Sequence, residues 1–143
     1  MDFDSHTGYL SPGIHKMDFE HLARRFGWNG WRRFLLGGIE RACAELGSVG
    51  CRGIFVDGSF VTAKDVPRDW DGAYNPHRVR FDRLDPVMLR YDDGRRAMNA
   101  KYLGDIFPWN AKTGHGGAYL DFFTTDRDGV SKGVVLIELG AQR

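Results

Sequence analysis

Ile54-Phe55-Val56-Asp57-Gly58-Ser59, followed nine residues later by Asp69-Trp70-Asp71, is the stretch around which the rest of the chain arranges itself. Ile54 and Val56 alternate with Phe55 and Asp57 as a half-buried strand requires. Gly58 then permits a sharp turn and, lacking a Cβ, lets an anion approach the backbone; Ser59 adds a hydroxyl and an N–H donor. On a strand, side chains two apart share a face, so Asp69 and Asp71 project together roughly 7 Å apart at the backbone, with Trp70 packing behind them. Two carboxylates so placed suit Mg²⁺, which keeps its other positions for water and phosphate oxygens.

Elements before and after this stretch place it in an α/β (α+β) sandwich, a mixed or antiparallel sheet covered by helices on one face. Residues 1–17 read as an extended N-terminal arm ending in Ser11-Pro12-Gly13 turn chemistry. Asp18 is the expected cap of a short helix carrying Phe19, Leu22, Ala23 and Phe26, which Gly27 stops. A second helix begins near Asn29, with Trp31, Leu35, Gly38, Ile39, Ala42, Cys43 and Leu46 on one stripe, and ends around Gly47 and Gly50. Beyond Asp71, Pro86 marks the first turn of a partly helical segment, Asp92-Asp93-Gly94 a turn, and Arg95 to Leu103 a short helix. Ala118 to Thr124 and Gly133 to Leu139, joined by Asp126-Arg127-Asp128-Gly129, are expected to form an antiparallel hairpin.

Composition narrows the function classes. A chain of 143 residues with 42% hydrophobic and 13% aromatic side chains is the size of one domain, 1–143, with a single core. No apolar run is long enough for a membrane span, and the acidic opening Met1-Asp2-Phe3-Asp4-Ser5 lacks the core of a signal peptide, so a cytoplasmic protein with no membrane partner is expected. Cys43 and Cys51 fit that compartment as a helical and a strand-edge thiol rather than a disulfide or zinc site. With 20 basic and 19 acidic side chains the formal charge is +1, so attraction to nucleic acid would have to come from a local patch.

The order of strand, Gly58-Ser59, loop and Asp69-Trp70-Asp71 resembles the nucleotidyltransferase superfamily, which includes DNA polymerase beta, tRNA-terminal transferases and minimal enzymes of toxin–antitoxin pairs. A closer likeness covers nearly the whole chain. It is carried by Gly8-Tyr9-Leu10-Ser11-Pro12-Gly13-Ile14-His15, by Arg24-Arg25-Phe26-Gly27-Trp28-Asn29, and by Asp57-Gly58-Ser59-Phe60-Val61-Thr62-Ala63-Lys64 with Pro67 and Asp69-Trp70-Asp71. These residues resemble a family of small bacterial and phage proteins, a domain of unknown function placed with the nucleotidyltransferases. The resemblance implies a polymerase-beta-like fold and transfer of a nucleoside monophosphate from a nucleoside triphosphate such as ATP, with Mg²⁺ or Mn²⁺. It assigns metal carboxylates to Asp69 and Asp71 and phosphate contacts to Gly58 and Ser59, with Lys64 neutralising phosphate charge or standing as a solvated loop lysine. The third carboxylate of such a site comes from a later strand. Asp121, interrupting the apolar run Tyr119-Leu120-Asp121-Phe122-Phe123, is preferred to Asp105; its competing reading is a salt bridge to Arg95, Arg96 or Lys101. The implied acceptor is an RNA end, a tRNA for instance, or a protein hydroxyl, in the setting of a toxin–antitoxin or phage-defence pair. A non-catalytic binding protein on the same scaffold, acting as an antitoxin or inhibitor of a cognate partner, is the alternative, favoured by Gly72 where an apolar residue is usual.

Other features belong to structure rather than chemistry on sequence grounds. Arg24, Arg25, Trp28, Trp31, Arg32 and Arg33 mix basic and aromatic residues as nucleic-acid surfaces do, yet read more simply as tryptophans anchoring the helices and arginines lining a solvated edge. The histidines lack metal-ligand spacing, and the Gly-rich Thr113-Gly114-His115-Gly116-Gly117 is weak as a phosphate loop.

Overall fold

The computed structural model describes residues 3–110, 129 and 132–140. In chain order these form β1 (Gly13–Met17), α1 (Phe19–Phe26), α2 (Gly30–Ser48), β2 (Gly53–Asp57), β3 (Trp70–Tyr74), α3 (Asp92–Tyr102), β4 (Gly104–Pro108) and β5 (Gly133–Glu138), with single 3-10 turns at Ser59–Val61 and Pro86–Leu89. The strands make one mixed five-stranded sheet in the order β1-β5-β2-β3-β4. β2 runs antiparallel to both β5 and β3, while the outer pairs β1 with β5 and β3 with β4 are parallel.

Local chemistry sets the helices as expected. Asp18 accepts a hydrogen bond from the His21 amide at the start of α1, Gly27 is its C-cap, and Asn29 accepts from the Arg32 amide at the start of α2. Leu35, Gly38, Ile39, Ala42, Cys43 and Leu46 are the buried stripe of α2. They share one core with Leu22 and Phe26 of α1 and with the sheet residues Ile54, Val56, Trp70, Tyr74, Ile106, Val135 and Ile137. The opposite parity of the sheet holds a smaller cluster of Phe55, Ala73 and Val134, with Trp109 and Leu136 against it. Asp57, Asp71 and Asp105 continue that second face.

Four departures from the sequence reading matter. Gly13, expected in a turn, opens β1, so the N-terminal arm contributes an edge strand to the sheet instead of lying apart from it. β4 was not foreseen: five residues bounded by Gly104 and Pro108 are too short and too punctuated to show a period. β5 has β1 on one side and β2 on the other, and the 118–124 segment assigned to it as a hairpin mate lies outside the described residues. The turn expected at Asp92-Asp93-Gly94 is, by contrast, present: Asp93, Gly94 and Arg95 have φ of 54°, 62° and 62°, just before regular helix.

The last departure concerns the arginines. Trp28 and Trp31 are 39% and 40% exposed, whereas Arg32 is fully buried. Its guanidinium donates five hydrogen bonds to backbone carbonyls of Phe26, Phe60, Thr62 and Lys64. It also lies 3.7 Å from the Trp28 ring centroid. A side chain expected at a solvated edge is thus the internal brace of the loop after Ser59. Carbonyls are the hydrogen-bond acceptors, and desolvation, only partly offset by Asp65 and reinforced by Arg25, pulls the Arg32 pKa down to about 10.

Arg32→Lys keeps the charge but replaces a planar fork by a single ammonium, leaving buried carbonyls unmet at about 1–3 kcal/mol each. Urea unfolding of this variant is expected to show a loss of at least about 2 kcal/mol, and a midpoint equal to wild type would mean that the loop does not depend on the brace.

Candidate functional site

β2 ends in Asp57, and the chain then turns at Gly58 with φ +83° into the 3-10 turn Ser59–Val61. Only a residue free of a side chain fits, since a Cβ on Gly58 would lie 2.3 Å from Asp71 Oδ2. The Gly58-Ser59 turn is therefore packed directly against the second carboxylate of the Asp69-Trp70-Asp71 motif. Thr62 closes the turn by donating its hydroxyl to the Ser59 carbonyl at 2.7 Å.

Strand register lines up the acids. Asp57 is opposite Asp71 across the β2/β3 pair, and Asp71 is opposite Asp105 across the β3/β4 pair. Three neighbouring strands thus present a row of carboxylates on the sheet face away from the helical core, with Asp69 one step along from Asp71. Trp70, between the two motif acids, is buried on the helical side, donating its indole N–H to the Tyr102 carbonyl at 2.7 Å. Its ring lies over Gly72, where a Cβ would approach it to 2.6 Å. The glycine found where an apolar residue was expected is thus a consequence of the tryptophan two residues earlier, which already fills that volume.

The row is unevenly neutralised. Asp105 accepts from Arg95 Nε at 3.0 Å, from Arg95 Nη2 at 3.3 Å and from Asn99 Nδ2 at 2.8 Å. Asp57 faces Lys132 Nζ at 3.4 Å. The Asp71 carboxylate, between them, takes part in none of the hydrogen bonds or ion pairs among the described residues. Burial, reinforced by Asp69, Asp105 and Asp57, pushes its pKa up to about 7. Burial also raises Asp57 despite Lys132, and raises Asp69 with the help of Asp105 despite Arg68 and Arg95. A site of this kind is short of positive charge.

An open cleft of about 630 Å³ runs along the turn, lined by Gly58, Ser59, Lys64, Asp71 and Lys132 on one side and by the N-terminal turn Ser5 to Tyr9 on the other. That turn is built by Asp4, whose carboxylate accepts from the His6 and Thr7 amides. It is fastened to the loop by the Ala63 amide donating to the Gly8 carbonyl at 2.8 Å and by the Tyr9 to Thr62 bridge.

Of the residues singled out from sequence, Gly58, Ser59, Lys64 and Asp71 meet in this cleft. Asp69 lies on the far side of Asp71, in a smaller recess with Trp31, Phe34 and Arg68. Asp121 lies outside the described residues, as does His115. Asp105 is the later-strand acid that the described sheet places beside Asp71. Sequence reading passed over Asp57 and Lys132: the first looked like ordinary strand alternation, and the second is 61 positions from Asp71, within reach only through the β2/β5 pairing. Cys43 and Cys51 are both buried free thiols, and burial pushes Cys43 up to about 12, which leaves it inert.

Among the described residues no three His, Cys, Asp or Glu side chains converge as a metal-ligand set. Asp57 and Asp105 are engaged by cations of the chain. The acids that remain are Asp71 in the cleft and Asp69 in the neighbouring recess, so the two do not open onto one space as their spacing led one to expect. They are the residues that would hold Mg²⁺, which binds through one or two carboxylates and leaves the remainder of its shell to water and phosphate.

The raised pKa of Asp71 fixes the sign of a pH effect. Below its ordinary value of 3.8 the acid is protonated folded and unfolded alike, and its contribution to stability is fully present; as pH rises to about 7 the unfolded chain ionises first, and the contribution is lost. Asp71→Asn carries a permanently neutral group. Thermal melts in EDTA are expected to show wild type losing stability relative to Asp71→Asn across that window, and a pH-independent difference would contradict the burial of Asp71 beside its neighbours.

Among the described residues no helix is long and apolar enough to cross a membrane. No curated protein and no solved structure matches the chain. The whole sheet and every residue of the carboxylate row fall within residues 1–138, which match the model of a family of unknown function, DUF6932, and the chain belongs to that family.

Proposed function

We propose that the protein is a Mg²⁺-dependent nucleotidyltransferase that moves a nucleoside monophosphate from a nucleoside triphosphate to a macromolecular acceptor. The observation that carries this reading is the contact of the Gly58 turn with Asp71: the turn packs against a carboxylate that makes no hydrogen bond or ion pair among the described residues and whose raised pKa Lys132 only partly offsets. Backbone N–H groups at Gly58 and Ser59 and the Ser59 hydroxyl would take phosphate oxygens, with Lys64 and Lys132 supplying positive charge from the same cleft. Mg²⁺ or Mn²⁺ held by Asp69 and Asp71 would neutralise phosphate charge and lower the pKa of the acceptor hydroxyl.

The acceptor oxygen forms a bond to the α-phosphorus while the bond from that phosphorus to the bridging oxygen breaks, and pyrophosphate leaves with the electron pair. The hydroxyl proton passes to a carboxylate beside it. Asp105 is the described candidate, held in place by Arg95 and Asn99, and Asp121 is the alternative from sequence. The polymerase-beta-like fold belongs to the same proposal, supported by the order of the glycine turn, the Asp-x-Asp strand and the later carboxylate strand side by side.

A non-catalytic binding protein on this scaffold is favoured by one observation, the engagement of Asp57 and Asp105 by the chain's own cations. Thermal shift with Mg²⁺ and ATP, GTP, CTP or UTP, followed by incubation with labelled nucleotide and a lysate, separates the two. Wild type is expected to be stabilised by metal with nucleotide, since a ligand bound only to the folded state shifts the equilibrium. Ser59→Ala should weaken that shift by about 1 kcal/mol, and Asp71→Ala should abolish both the shift and labelling. Absence of labelling with all four nucleotides, together with capture of a partner unaffected by Asp71→Ala, would establish the binding protein instead.

A further inference from the structure

Beyond the nucleotide cleft, the recess on the far side of Asp71 is lined by Trp31, Phe34, Leu35, Arg68, Asp69 and Leu103, with Asn99 at its edge, and measures about 160 Å³. Trp31 and Phe34, one turn apart on α2, have ring centroids 5.4 Å apart with a 34° angle between planes. They are 40% and 54% exposed, an unusual state for two large adjoining rings on a helix whose apolar stripe is otherwise buried. Trp31 is not loose: its indole N–H donates to the Pro67 carbonyl, fixing the ring two residues before Asp69. The exposed Arg68 lines the same recess, next in sequence to that carboxylate.

Resting on the nucleotidyltransferase reading, we infer that this recess is the acceptor subsite and that the acceptor is a single-stranded RNA end, its terminal base stacked on Trp31 and Phe34 and its phosphate paired with Arg68. Every base has a π-face, so an aromatic platform beside a cation holds single strands with little demand on sequence. With +1 overall there is no general attraction to a polyanion, so the phosphate contact falls to the exposed Arg68, beside which Asp69 lines the same recess. Placement fits as well. Asp69 lines this recess and Asp71 lines the nucleotide cleft, so the motif acids open onto two separate spaces. In-line displacement needs the acceptor to enter opposite the leaving pyrophosphate, and a recess distinct from the nucleotide cleft and bordered by the other motif acid supplies a second approach. A peptide hydroxyl would gain nothing particular from the exposed rings and Arg68 together.

Fluorescence anisotropy with a short 5′-labelled single-stranded RNA, without metal or nucleotide, tests the platform directly. Wild type is expected to bind it, Phe34→Ala to bind about 5- to 100-fold more weakly, and Phe34→Tyr, which keeps a ring, to stay close to wild type. An RNA lacking its 3′-terminal base should bind wild type as poorly as intact RNA binds Phe34→Ala, and Arg68→Ala should lessen the salt dependence. Phe34 is half exposed, so its variant should melt with wild type; if it does not, the abasic RNA on unaltered protein decides the matter. Equal binding of intact and abasic RNA, equal binding of duplex and single strand, or labelling of protein with no labelling of RNA would overturn the inference. The Mg²⁺–ATP thermal shift of wild type and its loss in Asp71→Asn report on the proposed activity separately, so the platform can fail while the activity stands, and the reverse.

Discussion

The candidate site depends on a buried guanidinium whose hydrogen bonds go to backbone carbonyls. Arg32 enters the space between α1, α2 and the loop after β2, and satisfies carbonyls at Phe26, Phe60, Thr62 and Lys64. Irregular backbone leaves its carbonyls without ladder partners, and burying them unmet would be costly. One planar fork with five N–H donors resolves that for the whole turn region. The C-terminal half of the same loop is held differently, by Trp28 donating to Asp65 at 2.9 Å, Asn29 donating to the Asp65 carbonyl at 2.7 Å, and Trp31 donating to Pro67. Both ends of the loop between Ser59 and Asp69 are thereby tied to the first turn of α2, which fixes the glycine turn and the Asp-x-Asp strand relative to one another.

Charge on the sheet face follows from register. Placing acids opposite one another on adjacent strands is unfavourable, because like charges in cross-strand pairs repel. The chain offsets this at the two flanks, with Lys132 at Asp57 and with Arg95 and Asn99 at Asp105, and leaves the middle without a direct partner among the described residues, Lys132 acting on it only from beside Asp57. A structural network would be expected to leave no member without a partner. Asp71 is instead the acid most strongly raised, and the one that touches the glycine turn. Retaining a proton or accepting a cation from outside are the two ways such a carboxylate relieves its position, and metal and proton compete for it.

Sequence reading reached the helices because each carries a periodic apolar stripe between recognisable caps, Asp18 and Gly27 for one and Asn29 for the other. It reached β2, β3 and the turn between them because Gly58, Ser59, Asp69 and Asp71 are local in sequence. What it missed was set by long-range pairing. β1 is a strand only by virtue of β5, and Asp57 and Lys132 join the site through strand neighbours that no short window contains, whereas Asp105 was reached only as the second choice for a later-strand acid. Arg32 defeats the reading for another reason. Arginine is almost always solvated, and only the shape of a loop determined elsewhere makes it core. The tryptophans were misplaced by the same habit, being large and apolar but needed at the surface for their N–H groups.

Gly72 illustrates how a local departure from a motif need not weaken the site it belongs to. An apolar side chain after the second acid would ordinarily cover the strand from behind, filling the layer between sheet and helices. Here that volume is occupied by Trp70, whose indole reaches across to the Tyr102 carbonyl at the end of α3. The glycine is then required by close packing, since any Cβ would enter the ring. One large side chain thus substitutes for two smaller ones, and it couples β3 to α3, whose residues Arg95 and Asn99 hold Asp105. The packing that displaced the motif's apolar residue also orients the helix that neutralises the neighbouring acid, so the unbalanced charge at Asp71 is bounded on that side by the core itself.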